Sequence, residues 1–138
     1  MLRSLKLAMS YSLSLLLIFV SGCGSGGSSV SSYQPTGQSA KDALTTALDA
    51  WKSGRAAPGT IATGKPTLEV LDSVWGSGRK LKEFQIGDET VSPDNPTRFK
   101  VKLTFADGPT TADVEYVVFG KDPIHVCHEK DYQKMTGQ

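Results

Sequence analysis

Two alternating runs on either side of a Gly-Pro turn constrain this chain more than any other feature. Phe99, Val101, Leu103 and Phe105 alternate with Lys100, Lys102 and Thr104. After Asp107-Gly108-Pro109 the row Val114, Tyr116, Val118 resumes the pattern. A period of two marks strands buried on one face, so the segment predicts an antiparallel hairpin. The expected register pairs Leu103 with Val114 and Val101 with Tyr116, and sets Lys102 opposite Glu115 and Thr104 opposite Asp113. A slip of one residue would place Leu103 against Asp113, which disfavours it.

Other elements fall around this hairpin. Ala40, Ala43, Leu44, Ala47, Leu48 and Trp51 recur at helical spacing, predicting an amphipathic helix over 40–53. Ser39 is its expected N-cap, Asp42 the partner three residues on, and Gly54 the left-handed end. Residues 55–66 are rich in Gly, Pro and Thr and read as a loop. Leu68 and Val70 predict a short strand, and Asp72 a cap for one helical turn carrying Val74 and Trp75. Leu81, Phe84 and Ile86 predict a strand whose uneven spacing calls for a bulge near Lys82. A last strand is expected over Ile124–His128. One helix and a meander of about four strands make an α+β domain, the helix packed on a curved antiparallel sheet.

The N-terminus is of a different kind. Arg3 and Lys6 precede 14 uncharged, leucine-rich residues, Leu7 to Val20. A basic start and an apolar stretch shorter than the roughly 20 residues of a spanning helix have the form of an export signal. It ends in Val20-Ser21-Gly22-Cys23, which resembles the lipobox of bacterial lipoprotein precursors. That resemblance implies cleavage between Gly22 and Cys23, lipid on the Cys23 thiol, and anchoring to the cell envelope. Gly24 resembles the pattern for sorting to the outer rather than the inner membrane where there are two. More than one acyl chain would anchor firmly, since each buried methylene contributes about 0.8 kcal/mol. Residues 24–38, uncharged and dominated by Gly and Ser, read as a flexible tether.

The expected organisation is a signal peptide over 1–22, lipidated Cys23 with the tether to 38, one domain over 39–130, and a tail over 131–138. The whole chain carries 15 basic and 14 acidic side chains. Loss of Arg3 and Lys6 with the signal leaves a nearly neutral protein, which argues against a nucleic-acid partner. The pattern from Ala43 to Val126 also resembles small envelope lipoproteins of unknown function with a cystatin-like or nuclear-transport-factor-like domain. Ala50-Trp51-Lys52-Ser53-Gly54, Asp72 with Trp75 and Gly78, Leu81 with Phe84 and Ile86, and the strand Val114–Val118 carry it, and no activity comes with it.

Chemistry-bearing residues are few. On a regular strand His125 and Cys127 share one face and His128 takes the other, so the three do not converge on a metal or form a thiol–imidazole pair. The expectation is a half-buried Cys127 flanked by surface histidines at a sheet edge. Asp88-Glu89, Asp113, Glu115, Glu129 and Asp131 read as solvated acids, and Gly76-Ser77-Gly78-Arg79 as a tight turn. Trp51, Trp75, Phe84 and Tyr116 are expected in the core or lining an apolar pocket. No cofactor or catalytic residue is called for. The function expected is that of a lipid-anchored, non-catalytic module that binds an envelope protein or a second copy of itself. The alternatives are a module for a small apolar ligand between helix and sheet and, behind it, a hydrolase or isomerase on the same scaffold.

Overall fold

The computed structural model describes residues 34–62, 64–92, 95–108 and 110–138. The signal, Gly22, Cys23 and most of the tether lie outside the described residues. Along the chain follow α1 (Gly37–Lys52), β1 (Gly59–Ala62), β2 (Leu68–Leu71), α2 (Ser73–Gly76), β3 (Leu81–Ser92), β4 (Asn95–Phe105), β5 (Thr111–Phe119), β6 (Ile124–His128) and α3 (Glu129–Thr136). The strands form one six-stranded sheet in the order β1-β2-β6-β5-β4-β3. Only β2 and β6 run parallel; every other neighbouring pair is antiparallel. The α+β class therefore holds, with six strands among the described residues instead of about four, a mixed sheet instead of an antiparallel one, and α3 in addition to the expected helix and the expected turn after Asp72.

The apolar stripe of α1 lies on one face of this sheet. Ala40, Leu44, Ala47, Leu48 and Trp51 are all buried there. They meet Val101, Leu103, Tyr116, Val118 and Val126 in one core. The helix begins three residues earlier than its apolar pattern. Thr36, not Ser39, is the N-cap, and its hydroxyl accepts from Ser39 N at 3.2 Å. Asp42, expected to face Ser39, instead accepts from Gln38 Nε2 at 2.7 Å. The C-terminal end is as expected, with Gly54 at φ 97°.

Asp72 caps the single turn of α2 through Val74 N and Trp75 N. In β3 the register steps from Leu81↔Phe105 to Glu83↔Thr104, so Lys82 is the extra residue of a bulge. The 55–66 segment, expected as loop, contributes the edge strand β1.

The hairpin register differs by two residues from the expected one. Val101 pairs with Val114, Leu103 with Ala112 and Phe99 with Tyr116. A two-residue slip leaves every side chain on its own face, so alternation alone cannot separate the two registers. Cross-strand chemistry can. The observed register places Lys100 opposite Glu115 and Lys102 opposite Asp113, whereas the other would set Lys100 against buried Val117. The loop is also closed tightly, with Phe105 N donating to Thr110 O at 3.2 Å.

The C-terminal end departs most. β6 is an interior strand between β2 and β5, and the segment expected as a tail forms most of α3. That helix lies over the sheet face opposite α1. Val117 and Cys127, register partners in β5 and β6, are both buried beneath it.

Candidate functional site

The residues singled out in the last strand are not brought together; they have three separate tasks. His128 ends β6 and caps α3, its Nδ1 accepting from Lys130 N at 3.2 Å. Its ring meets Tyr116 edge-on, with centroids 5.6 Å apart. His125 stacks on Phe119 at 4.9 Å, and Phe119 meets Tyr132 of α3 at 5.6 Å. Cys127 is 1% exposed, and burial, with Asp131 and Asp72 nearby, pushes its thiol up to about 11. The expected arrangement, surface histidines at an edge, is thus replaced by a buried His128, a half-buried stacked His125 and a sealed thiol. The reason is coverage of both faces. Among the described residues no group of three or more His, Cys, Asp or Glu is placed to hold a metal ion.

Beneath His128 lies a polar cluster. Asp72 is 2% exposed; its Oδ1 accepts from Val74 N at 2.9 Å and Trp75 N at 3.0 Å. Its Oδ2 accepts from the Tyr116 hydroxyl. Asp131, expected to be solvated, is buried and accepts from Ser73 N at 2.8 Å through Oδ2. Burial first, then the Asp72 carboxylate, hold the Tyr116 hydroxyl protonated well above its ordinary range. Three donors converge on Asp72, so its lone pairs are engaged in joining α2 to β5. The cluster fastens α2, β5 and α3 together, and a carboxylate occupied in this way is poorly placed to take a proton from a substrate.

The aromatic candidates serve packing. Trp51 and Trp75 stack at 5.4 Å and 8° between planes, and Phe105 tilts against Trp51 at 5.9 Å. Both indole N–H groups are satisfied, Trp51 by Arg79 O at 2.7 Å and Trp75 by Arg55 O at 2.8 Å. Tyr116 is fully buried and Phe84 half-buried against the same core. These rings fill the core beneath α1 near Trp51, and a cleft of about 290 Å³ remains where Ala43 and Thr46 of α1 meet Leu68 and Ile124 of the sheet.

Open space lies at the other side of α2. A groove of about 550 Å³ has an inner wall of Val74, Leu103, Phe105, Ala112 and Val114. Its outer rim includes Asp113, Glu115, Glu129 and Lys130. The floor is the edge of β5. Pairing of β5 with β6 stops at Tyr116↔His128, where the chain turns into α3, while pairing with β4 continues to Thr111. Residues 111–115 therefore have β4 on one side and, among the described residues, no strand on the other.

The outer rim is tied to the sheet by one guanidinium. Arg98 donates to Glu115 at 3.1 Å and to Glu129 of α3, and lies 5.6 Å from the Tyr132 ring centroid. The two carboxylates raise the Arg98 pKa against the opposing effect of burial. Sequence alone offered no signal for this bridge, because its three members come from β4, β5 and the segment after the last expected strand, where no helix was expected. Among the described residues no helix is long and apolar enough to cross a membrane. No protein-family model, curated protein or solved structure matches the chain.

Proposed function

We propose that this chain is an exported protein held on the cell envelope by lipid on Cys23, and that its folded part is a non-catalytic module for binding another envelope protein. The observation that carries the anchor is Val20-Ser21-Gly22-Cys23 directly after a basic and apolar signal. The position of α1 supports the module. Its first residue is Gly37, which leaves the Gly/Ser-rich stretch after Cys23 as a spacer between lipid and domain. The tether enters at the N-terminal end of α1. The 16 residues of that helix, about 24 Å at 1.5 Å per residue, carry the chain to Trp51 and Arg79. The groove beside α2 thus opens at the end away from the tether, where a partner could reach it.

The cystatin-like or nuclear-transport-factor-like likeness is supported by a long N-terminal helix lying on a sheet. The reading of a small apolar ligand between α1 and the sheet is weakened by Trp51, Trp75 and Tyr116, which fill the core there, and by the small size and the polar Ser39, Asp42 and Thr46 of the cleft that remains beside Ala43. A Cys23→Ala chain, expressed in a bacterium with a lipoprotein pathway, tests the anchor. We expect it to leave the membrane fraction and to lack the acyl mass found on the parent protein. A parent protein cleaved elsewhere, with no acyl mass, would refute the anchor. Cross-linking in the intact envelope tests the module, and a protein recovered only without a partner would count against it.

A further inference from the structure

The unpaired stretch of β5 specifies its missing neighbour. We propose that the groove takes an extended segment of a partner protein, which adds as a strand beside residues 111–115 and alternates apolar with basic residues. The inference rests on the binding-module reading and names the partner chemistry of that module.

Side chains of a strand in this position would point alternately to the two walls of the groove. On the inner wall stand Val74, Ala112 and Val114, half-buried against the core. On the outer wall stand the carboxylates of Asp113, Glu115 and Glu129. Glu115 and Glu129 share the single guanidinium of Arg98, and Asp113 makes no ion pair among the described residues. Arg79 is engaged with Asp107 at 3.4 Å and with the Phe105 ring at 3.8 Å. With Lys100 and Lys102 opposite Glu115 and Asp113 on the β4 side the outer face is of mixed charge, but within the groove the acids Asp113, Glu115 and Glu129 outnumber the one lysine of its outer rim, Lys130. An apolar residue inward and a lysine or arginine outward complement the two walls.

β5 already selects such a neighbour on its other side. There β4 sets Val101 opposite Val114 on the inner face, and Lys100 and Lys102 opposite Glu115 and Asp113 on the outer face. The free side of 111–115 presents the same two rows. Main-chain hydrogen bonds supply affinity in strand addition, and the alternate side chains supply specificity. The true sheet edges are less suitable. β3 is interrupted by register shifts after Leu81, Ile86 and Thr90, and β1 has four residues, devices that discourage edge pairing.

The probe is a synthetic nonapeptide copying residues 97–105, added to the Cys23→Ser full chain and followed by amide NMR shifts. Saturable shifts at residues 111–115 are expected. Glutamate in place of both probe lysines should weaken binding by at least about tenfold. Asp113 is exposed, so an Asp113→Lys protein should fold, discriminate against the lysine probe and recover the glutamate probe. Of two probes N-methylated on alternate residues, only the one whose remaining N–H groups face β5 should bind. Shifts confined to β3, equal binding of both N-methylated probes, or no shifts at 111–115 would overturn the proposal. None of these outcomes bears on the anchor, which the Cys23 test decides separately.

Discussion

The β3–β4 ribbon and the β5–β6 pair belong to one sheet but bury their residues by different rules. In β4, Phe99, Val101, Leu103 and Phe105 are buried, while Lys100 and Lys102 face solvent. In β5, Tyr116, Val117 and Val118 are buried in succession, as are Val126, Cys127 and His128 in β6. The difference is α3. Eight residues of helix cover the outer face over β5 and β6, and the outer rows of β4 remain open. A strand covered once alternates; a strand covered twice does not. The lesson is that a break in alternation next to reactive-looking residues can report a second layer, not a site.

The most severe way to break this contrast is to place a charge under α3. Val117→Asp should cost at least about 4 kcal/mol, or abolish folding, because it leaves a carboxylate buried without a partner. Lys102 lies on the same outer row in β4, so Lys102→Ala provides the matched comparison. Urea unfolding of both measures the difference directly.

Trp75→Ala comes next, at about 3–5 kcal/mol, since it removes one ring of the Trp51 stack and leaves a cavity. Tyr116→Phe tests the polar cluster with less disturbance. It leaves Asp72 Oδ2 without its donor and should cost about 1–3 kcal/mol, read as a shift of the urea midpoint at unchanged slope.

Alkaline pH probes the covered region by another route. The Cys127 thiol and Tyr116 hydroxyl keep their protons in the fold to higher pH than in the unfolded chain. The folded state therefore binds more protons once the unfolded groups begin to ionise, and stability falls as pH rises. The Cys127 contribution is intact below about pH 9 and declines toward pH 11, by roughly 2 kcal/mol. Tyr116 extends the decline above pH 10. Replacing Cys127 with Ala should flatten the first part of that curve in urea titrations at fixed pH.

A smaller effect is expected at the bridge. Arg98→Met should cost about 1 kcal/mol, because its ion pairs are partly exposed, and should speed hydrogen exchange in α3 more than in β3. Lys102→Ala should change stability by less than about 0.5 kcal/mol.

The same contrast explains how much of the molecule could be read in its sequence. Where one face is buried and partners are close along the chain, the residues were explicit. The stripe from Ala40 to Trp51, the Asp72 cap and the bulge at Lys82 all occur as their spacing implies. The start of α1 was misplaced because Ser39 has the chemistry of a cap next to the apolar stripe, while the actual cap, Thr36, lies in the stretch read as tether. The two-residue register error arose because faces are preserved by an even slip. Parallel pairing of β2 with β6 joins Leu68 to Ile124 and leaves no local pattern at all. Of the candidate site, the residue types at 125–128 drew notice, but their roles depend on α3, whose polar sequence Glu129–Thr136 resembles a tail until Asp131 and Tyr132 are seen to have partners. The groove was invisible because it is made where β6 stops and leaves five residues of β5, 111–115, without a partner on that side.

Thiol labelling tests the central claim, that α3 seals the outer face of β5 and β6. In a Cys23→Ser chain Cys127 is the sole thiol. At pH 8 it should react with a small disulfide reagent at least about a hundredfold more slowly than in urea, because it is buried and its thiol is pushed up to about 11. A rate in buffer close to that of the unfolded chain would contradict the account, because it would place Cys127 in the open and α3 away from the sheet.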